Sequence, residues 1–252
     1  MKFFMEKWQS FFSSDYLKFS EEILTKDRTN DELQFLINNL ELTGDAKILD
    51  LGCGQGRISI PLAKYGYNVT GLDASRDLLE EAKNRAKRES VSINFIYSDM
   101  RNMNYLNEYD AVINMGTAFG YVERQQDDEI TLKNVYRALR PNGVFIQDLD
   151  NREAKVNNYN KQSWYYMNNK FVWNQREFNY LTGRWNEIIK WEEHGEEKEF
   201  LLNLRLYTAS EIIHMNQISG LQLRDSFGYF NNQPYSATSP RMIMKYQKSK
   251  GV

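Results

Sequence analysis

From Lys47 to Leu149 the chain repeats one pattern, a short apolar run followed by a turn and a stretch with apolar residues at helical spacing. Lys47-Ile48-Leu49-Asp50-Leu51 gives way to Ile58, Ile60, Leu62 and Ala63, and 67–72 to 75–89. Then follow 93–97, 109–114 with its helix 127–139, and 144–149. Strands joined through helices run parallel, and a parallel sheet must be covered on both faces. The pattern predicts an α/β fold, a doubly wound and mostly parallel sheet over residues 46–154. With 252 residues, 41% hydrophobic and 26% charged, the chain can bury a core of that size.

The flanks read differently. Residues 1–45 place Trp8, Phe11, Phe12, Tyr16 and Phe19, then Leu33, Leu36, Ile37 and Leu40, three to four apart, predicting two helices that form an N-terminal lid. After about 155 the period changes. Trp164-Tyr165-Tyr166, Phe171-Val172-Trp173, the run 184–191 and Phe200-Leu201-Leu202 predict an inserted antiparallel β subdomain over 155–206, a substrate cover. Two or three aromatics among Trp164, Tyr165, Tyr166, Phe171, Trp173, Trp185 and Trp191 are expected to face an acceptor, as a pocket wall or a cation–π cage. Residues 207–252 return to the core, where Thr208-Ala209-Ser210-Glu211 has capping-box form and opens a helix ending at Gly220. Strands 221–227 and 241–246 then flank a turn-rich stretch with Pro234 and Pro240.

Composition narrows the function. The 32 Lys plus Arg nearly balance 34 Asp plus Glu, leaving a net charge of −2 and no basic groove for a phosphate backbone. The single cysteine, Cys53, excludes an internal disulfide framework and a Cys-based zinc site, and the two histidines, His194 and His214, argue against a His-rich metal centre. His194 lies among glutamates and is expected in a hairpin turn. The apolar start meets Glu6 and Lys7, and no apolar run approaches membrane-spanning length, so a cytoplasmic chain without a membrane partner is expected.

The loop Asp50-Leu51-Gly52-Cys53-Gly54-Gln55-Gly56 joins the first strand to the first helix, and its glycines let a ligand lie against bare backbone. Asp73 ends the second strand 73 − 50 = 23 residues after Asp50, where an acidic side chain in doubly wound folds accepts from a ribose diol. Asp99 follows the third strand. Three carboxylates at the carboxyl ends of successive strands converge on one crevice. Arg57 occupies the place where a dinucleotide fingerprint requires glycine, and Gly-Lys-Ser/Thr is absent. An acidic residue ahead of the glycines favours a ligand carrying positive charge.

This combination resembles the class I S-adenosylmethionine-dependent methyltransferases. The matching segments are 48–56, Gly71-Leu72-Asp73-Ala74-Ser75, Ser98-Asp99-Met100, Tyr109-Asp110-Ala111-Val112 and 139–144, and the resemblance covers 45–150. It implies a Rossmann-like seven-stranded sheet with an antiparallel last strand, and S-adenosylmethionine as cofactor with S-adenosylhomocysteine as product. By resemblance, Asp50 and the loop residues Gly52, Cys53, Gly54 and Gly56 face the aminoacyl part of the cofactor. Asp73, with Ala74 beside it, takes the ribose, Asp99 and the Met100 backbone the adenine, and Asn114, Met115 and Gly116 flank the methionine. The whole chain is similar to the branch that methylates nitrogen or oxygen of small molecules, in which Tyr16 would reach the cofactor from the lid. A small-molecule acceptor and a monomer or homodimer are therefore expected. The rivals are an RNA or protein methyltransferase and a non-catalytic S-adenosylmethionine-binding protein. Asn114-Met115-Gly116-Thr117 stands where amino-methylating enzymes of nucleic acids carry Asn/Asp-Pro-Pro-Tyr/Phe. Asp148, near Asp150 at the end of the fifth strand, is the candidate to orient or deprotonate the acceptor. No metal is expected.

Overall fold

In the computed structural model, which describes residues 7–167 and 169–249, the apolar runs become a seven-stranded sheet. Its middle strands, β1 (Lys47–Leu51) and β4 (Tyr109–Asn114), are buried along nearly their whole length, as strands covered on both faces must be. Beyond β1 lie β2 (Asn68–Asp73) and β3 (Asn94–Tyr97), and beyond β4 lie β5 (Leu139–Asp150), β11 (Arg241–Lys248) and β10 (Leu221–Phe227). The contacts β3–β2, β2–β1, β1–β4 and β4–β5 are parallel, whereas β11 runs antiparallel to both β5 and β10. The expected doubly wound sheet with an antiparallel last strand is observed.

Successive side chains of a strand point to opposite faces, and each central strand feeds two cores. Leu49, Val112, Phe145 and Met242 join one with Leu132 and Val135 of α6 (Gln125–Ala138). Ile48, Ala111, Ile146 and Ile243 join the other with Leu36 and Leu40 of α3 (Lys26–Leu40) and Leu62 of α4 (Ser59–Tyr65). Helix α5 (Arg76–Arg88) starts from Ser75, whose hydroxyl accepts from the Leu78 N–H. Helix α8 (Ala209–Ile218) starts from the expected capping box, Thr208 and Glu211 each serving the other's backbone N–H.

Two local features depart from the sequence reading. The first aromatic helix is broken into α1 (Lys7–Phe11) and α2 (Ser14–Ile23), because Ser13 takes an extended conformation at φ −107°. A short helix, α7 (Arg152–Asn157), follows β5 without a periodic signal in the sequence.

The inserted sheet is antiparallel in the order β6 (Gln162–Met167), β7 (Lys170–Asn179), β8 (Arg184–Glu193) and β9 (Glu196–Arg205). His194 and Gly195 form its tight β8–β9 turn at φ 55° and 81°, a two-residue hairpin connection. Its inner face buries Val172, Trp191 and Phe200 against Phe11 and Phe19 of α1 and α2. The insertion and the N-terminal helices thus form one apolar unit.

Candidate active site

The carboxyl ends of β1, β2 and β3 open into a cavity with about 1040 Å³ of empty space, counting the part continuous with solvent. At Gly52 the chain leaves β1 with φ 73°, and a Cβ there would come within 2.5 Å of the Ala118 Cβ. The Gly52 and Cys53 N–H groups both donate to the Leu72 carbonyl, tying the loop to the end of β2. One Asp73 oxygen accepts from the Gly54 N–H at 2.8 Å and the other from the Ser75 N–H at 2.7 Å. A carboxylate has about four acceptor positions, so Asp73 is fixed in orientation with capacity to spare. Burial pushes its carboxyl upward, and the N–H groups of Ser75, Gly54 and Ala74 oppose that.

Asp50 is 2% exposed and accepts from the Ser59 hydroxyl at 2.6 Å. Burial lifts its carboxyl to about 6, against the Ser59 hydrogen bond and the Arg57 charge. Arg57 is held by Thr29 and by an ion pair with the fully buried Glu32, to which Arg28 also donates. Asp99 caps a single 3₁₀ turn by accepting from the Arg101 N–H, and both its oxygens receive the Arg101 guanidinium, at 3.0 and 2.6 Å.

The N-terminal helices roof this cavity. The Ser75 hydroxyl donates to the Phe12 carbonyl at 2.6 Å, the Ser14 N–H to Asp77 at 3.0 Å, and Gln55 to the Ser20 hydroxyl at 3.1 Å. The Phe12 ring meets those of Tyr16 and Tyr121 edge-on, at centroid distances of 5.2 and 5.1 Å. These three rings and Trp8 supply an aromatic wall. Burial raises the Tyr16 hydroxyl; Arg57 opposes the rise and Asp73 adds to it.

After β4, Gly116 and Thr117 both adopt left-handed conformations, φ 65° and 61°. Such a pair needs outside support, above all at a β-branched residue. Arg241 of β11 provides it, donating to Asp148 Oδ1 at 2.8 Å and to Thr117 Oγ1 at 2.7 Å, and pairing with Asp150. Asp148 Oδ2 accepts from the Gly116 N–H at 2.8 Å, and Lys155 pairs with Asp150. Although burial disfavours it, the Arg241 charge is held above the usual arginine range by Asp148 and Asp150. Burial would raise the Asp150 carboxyl, but Lys155 and Arg241 outweigh it and keep the group below the usual carboxylate range. Farther along, Asp128 of α6 accepts from the Tyr207 hydroxyl at 2.7 Å and from the Gly120 N–H. Burial raises Asp128 to about 7 against those contacts.

Of the residues singled out in the sequence, Tyr16, Asp50, Gly52, Cys53, Gly54, Asp73, Ala74, Asp99, Met100, Met115 and Gly116 line the cavity together. Three others do not. Gly56 packs toward Ile60 and Ala82 behind the loop, at φ 77°. Asn114, 1% exposed, donates to the Leu51 carbonyl at 2.8 Å and joins β4 to β1. Asp148, expected to project into the crevice, is fully buried beneath the Gly116–Thr117 turn with both oxygens engaged. The aromatic insertion also differs from expectation: Trp185 and Trp191 are core residues, while Trp164, Tyr166, Phe171 and Trp173 face outward. None of the seven named insertion aromatics lines the cavity. Its aromatic and acidic walls instead include Phe12, Phe119, Tyr121 and Asp128, which sequence reading did not single out. A cue existed for Phe12, in the lid's aromatic spacing, but none for a loop tyrosine.

Known proteins resemble this chain in sequence and in fold. A methyltransferase domain profile matches residues 48–143. YqeM of Bacillus subtilis (strain 168), provisionally named a methyltransferase, is 27% identical over 220 residues, covering 82% of this chain and 85% of that one. The glycine/sarcosine N-methyltransferase of Halorhodospira halochloris is 28% identical over 166 residues, 65% of this chain and 58% of the relative. A solved S-adenosylmethionine-dependent methyltransferase from Clostridium acetobutylicum ATCC 824 superposes with a TM-score of 0.82, covering 96% of this chain and 99% of that one. At 18% identity that likeness concerns the fold.

Proposed function

We propose that this chain is a class I S-adenosylmethionine-dependent methyltransferase, a reading supported by the matching methyltransferase domain and by the fold, and that it methylates a nitrogen or oxygen of a small molecule. The observation that carries the reading is the roofed cavity, where Asp50 and Asp73 stand beside bare glycine backbone under an aromatic wall. Its donor set fits the cofactor. Asp73 has unspent acceptor capacity for a diol, and Asp50 offers a buried carboxylate to a cationic group. A Cβ added at Gly54 or Gly116, both lining the cavity, would meet no protein atom nearer than 3.9 and 4.0 Å respectively. Both glycines therefore leave room that a ligand can fill.

When bound, S-adenosylmethionine supplies a methyl group on a sulfonium, open to in-line displacement. In this reading Asp73 holds the ribose, Asp50 and the loop Gly52–Gly54 the aminoacyl end, Tyr16 reaches that end from the lid, and Asp99 with Met100 borders the adenine. Met115 and Gly116 form the floor, and Asn114, Gly56 and Asp148 support it from behind. Asp148 is thus a positioning residue for the turn. Phe12, Tyr16 and Tyr121 exclude water and orient the acceptor, a source of rate that can reach about 7–11 kcal/mol without a dedicated base. A roof latched at Ser75, Asp77 and Gln55 suits a small acceptor better than a polymer, and the N-methyltransferase relative is named for two small amines.

Calorimetric titration with S-adenosylmethionine tests the first half, with Asp73→Ala alongside and NAD as a control. Tight binding that weakens at least ~30-fold in the variant is expected, the loss of one buried charged acceptor being worth about 2 kcal/mol or more. Preference for NAD would refute the cofactor assignment. Turnover on a panel of small amines and hydroxyl compounds, against RNA and peptide pools, tests the second half, and methylation confined to the polymers would overturn the acceptor class.

A further inference from the structure

The outer face of the inserted sheet carries aromatic side chains that the cavity does not use. Trp164 is 66% exposed, Tyr166 61%, Phe171 50% and Trp173 50%. They form one cluster, not scattered residues. Trp164 pairs across the strands with Trp173, and Tyr166 with Phe171. Phe171 stands at the centre, with ring centroids 5.8 Å from Trp164, 5.2 Å from Tyr166 and 6.3 Å from Trp173. On β8 and β9 the same outer face carries Ile188 and Leu201, the latter 43% exposed, beside Lys190 and Glu199. Sequence alternation demands no such surface: the same strands already satisfy the core through Val172, Trp191 and Phe200 on the inner face.

We propose that this outer face of β6 and β7 is where two copies of the chain meet. Area supports the choice. With large apolar side chains presenting about 150–250 Å² each, the observed exposures leave roughly 500 Å² of apolar surface per copy, in the upper part of the range at which a single patch is often functional. Two such faces, with their polar margins, reach the roughly 1,200 Å² at which specific interfaces begin. The four rings carry no charge, and the row beyond them brings both signs, with Lys190 opposite Trp173 and Glu199 opposite Lys190, so an identical face about a two-fold axis can set rings against rings and each charge against its opposite. A bilayer fits less well. The strand ends beside the β8–β9 turn carry Glu192, Glu193, Glu196, Glu197 and Glu199, which outnumber Lys190 and Lys198 and which anionic headgroups repel. Pairing would also press on the outer side of the strands whose inner side carries Phe11, Phe12 and Tyr16, so assembly and the roof of the cavity share one sheet.

Sedimentation of the full chain across a hundred-fold concentration range reads the proposal directly. The natural chain should sediment at twice the monomer mass. Trp164→Ser with Phe171→Ser should raise the dimer dissociation constant at least ~100-fold, as loss of two central aromatic anchors does. Tyr180→Ser with Leu181→Ser, which alters other exposed apolar residues outside the cluster, should leave it unchanged. If the first variant fails to fold, dipolar coupling between spin labels on Gln175→Cys replaces it. Gln175 lies on the same outer face, and labels there should couple between copies while labels on Ser90→Cys do not. A natural chain that stays monomeric throughout, a dimer indifferent to the double variant, or a monomer that instead pellets with phosphatidylcholine–phosphatidylserine vesicles would each overturn it.

Discussion

Removing the Arg241 guanidinium while keeping its bulk, as in Arg241→Met, isolates what the buried ion cluster contributes. In the native chain Arg241 serves Asp148, Asp150 and Thr117 together. After substitution Asp150 retains Lys155, but the fully buried Asp148 carboxylate retains only the Gly116 N–H. Stranding one partner of a buried pair costs about 3–5 kcal/mol, a large share of the ~5–15 kcal/mol that holds a typical protein folded. At about 2–4 °C per kcal/mol for a chain of this size, the melting temperature should fall by roughly 6–20 °C. Adding Asp148→Asn removes the stranded charge and should return at least ~2 kcal/mol, a coupling expected only between residues of one network. Urea unfolding of the natural chain and the three variants completes the cycle, with S-adenosylmethionine titration of each. Affinity should drop ~10-fold or more in Arg241→Met, since the turn under the cofactor loses its anchor. A cost below ~1 kcal/mol for Arg241→Met, or a double variant no more stable than the single one, would refute the reasoning.

Three further outcomes are expected. Because burial lifts Asp50 to about 6, S-adenosylmethionine should bind more tightly as pH rises through that value, and calorimetry on Asp50→Asn should show a weak affinity nearly flat in pH. Asp128, raised from 3.8 to about 7, keeps a proton in the folded chain that the unfolded chain has already lost. Its contribution to stability therefore falls as pH climbs from about 4 to 7, and urea midpoints of Asp128→Asn should decline less over that interval than those of the natural chain. Gly52→Ala, with a 2.5 Å contact to Ala118 Cβ and φ 73°, should cost more than ~2 kcal/mol and lower cofactor affinity. Gly44→Ala, at φ 62° with nothing within 4 Å, should cost only the ~1–2 kcal/mol of the left-handed backbone, as thermal melting would show.

What could be read from the sequence was what is local. Ile48, Leu49 and Leu51 announce a doubly covered strand because burial on both faces favours apolar residues, with Asp50 the one exception. Asp50, Asp73 and Asp99 meet because parallel strands present their carboxyl ends on one side. Pairings between distant positions left no comparable trace. Asp148 looks free in sequence, yet its partner Arg241 lies 93 positions later. Tyr121 enters the cavity wall from an irregular loop, where no period reveals direction. In the insertion, alternation shows that Trp164 and Tyr165 point opposite ways, but not which face is covered; the covered one meets α1 and α2, leaving the tryptophan side open. The expectation that these aromatics face an acceptor failed on that choice of side.

The clamp on the Gly116–Thr117 turn also has a timetable. Arg241 follows Thr117 by 124 positions, and ribosomes add about 5–20 residues per second, so the turn waits roughly 6–25 s during synthesis for the side chain that anchors it. Through that interval the nascent chain holds Asp50, Asp73 and Asp99 but a cavity floor without its support. Cofactor capture and completion of the sheet therefore belong to the same late event, and a chain stalled before β11 should emerge with strands in place and no competent site.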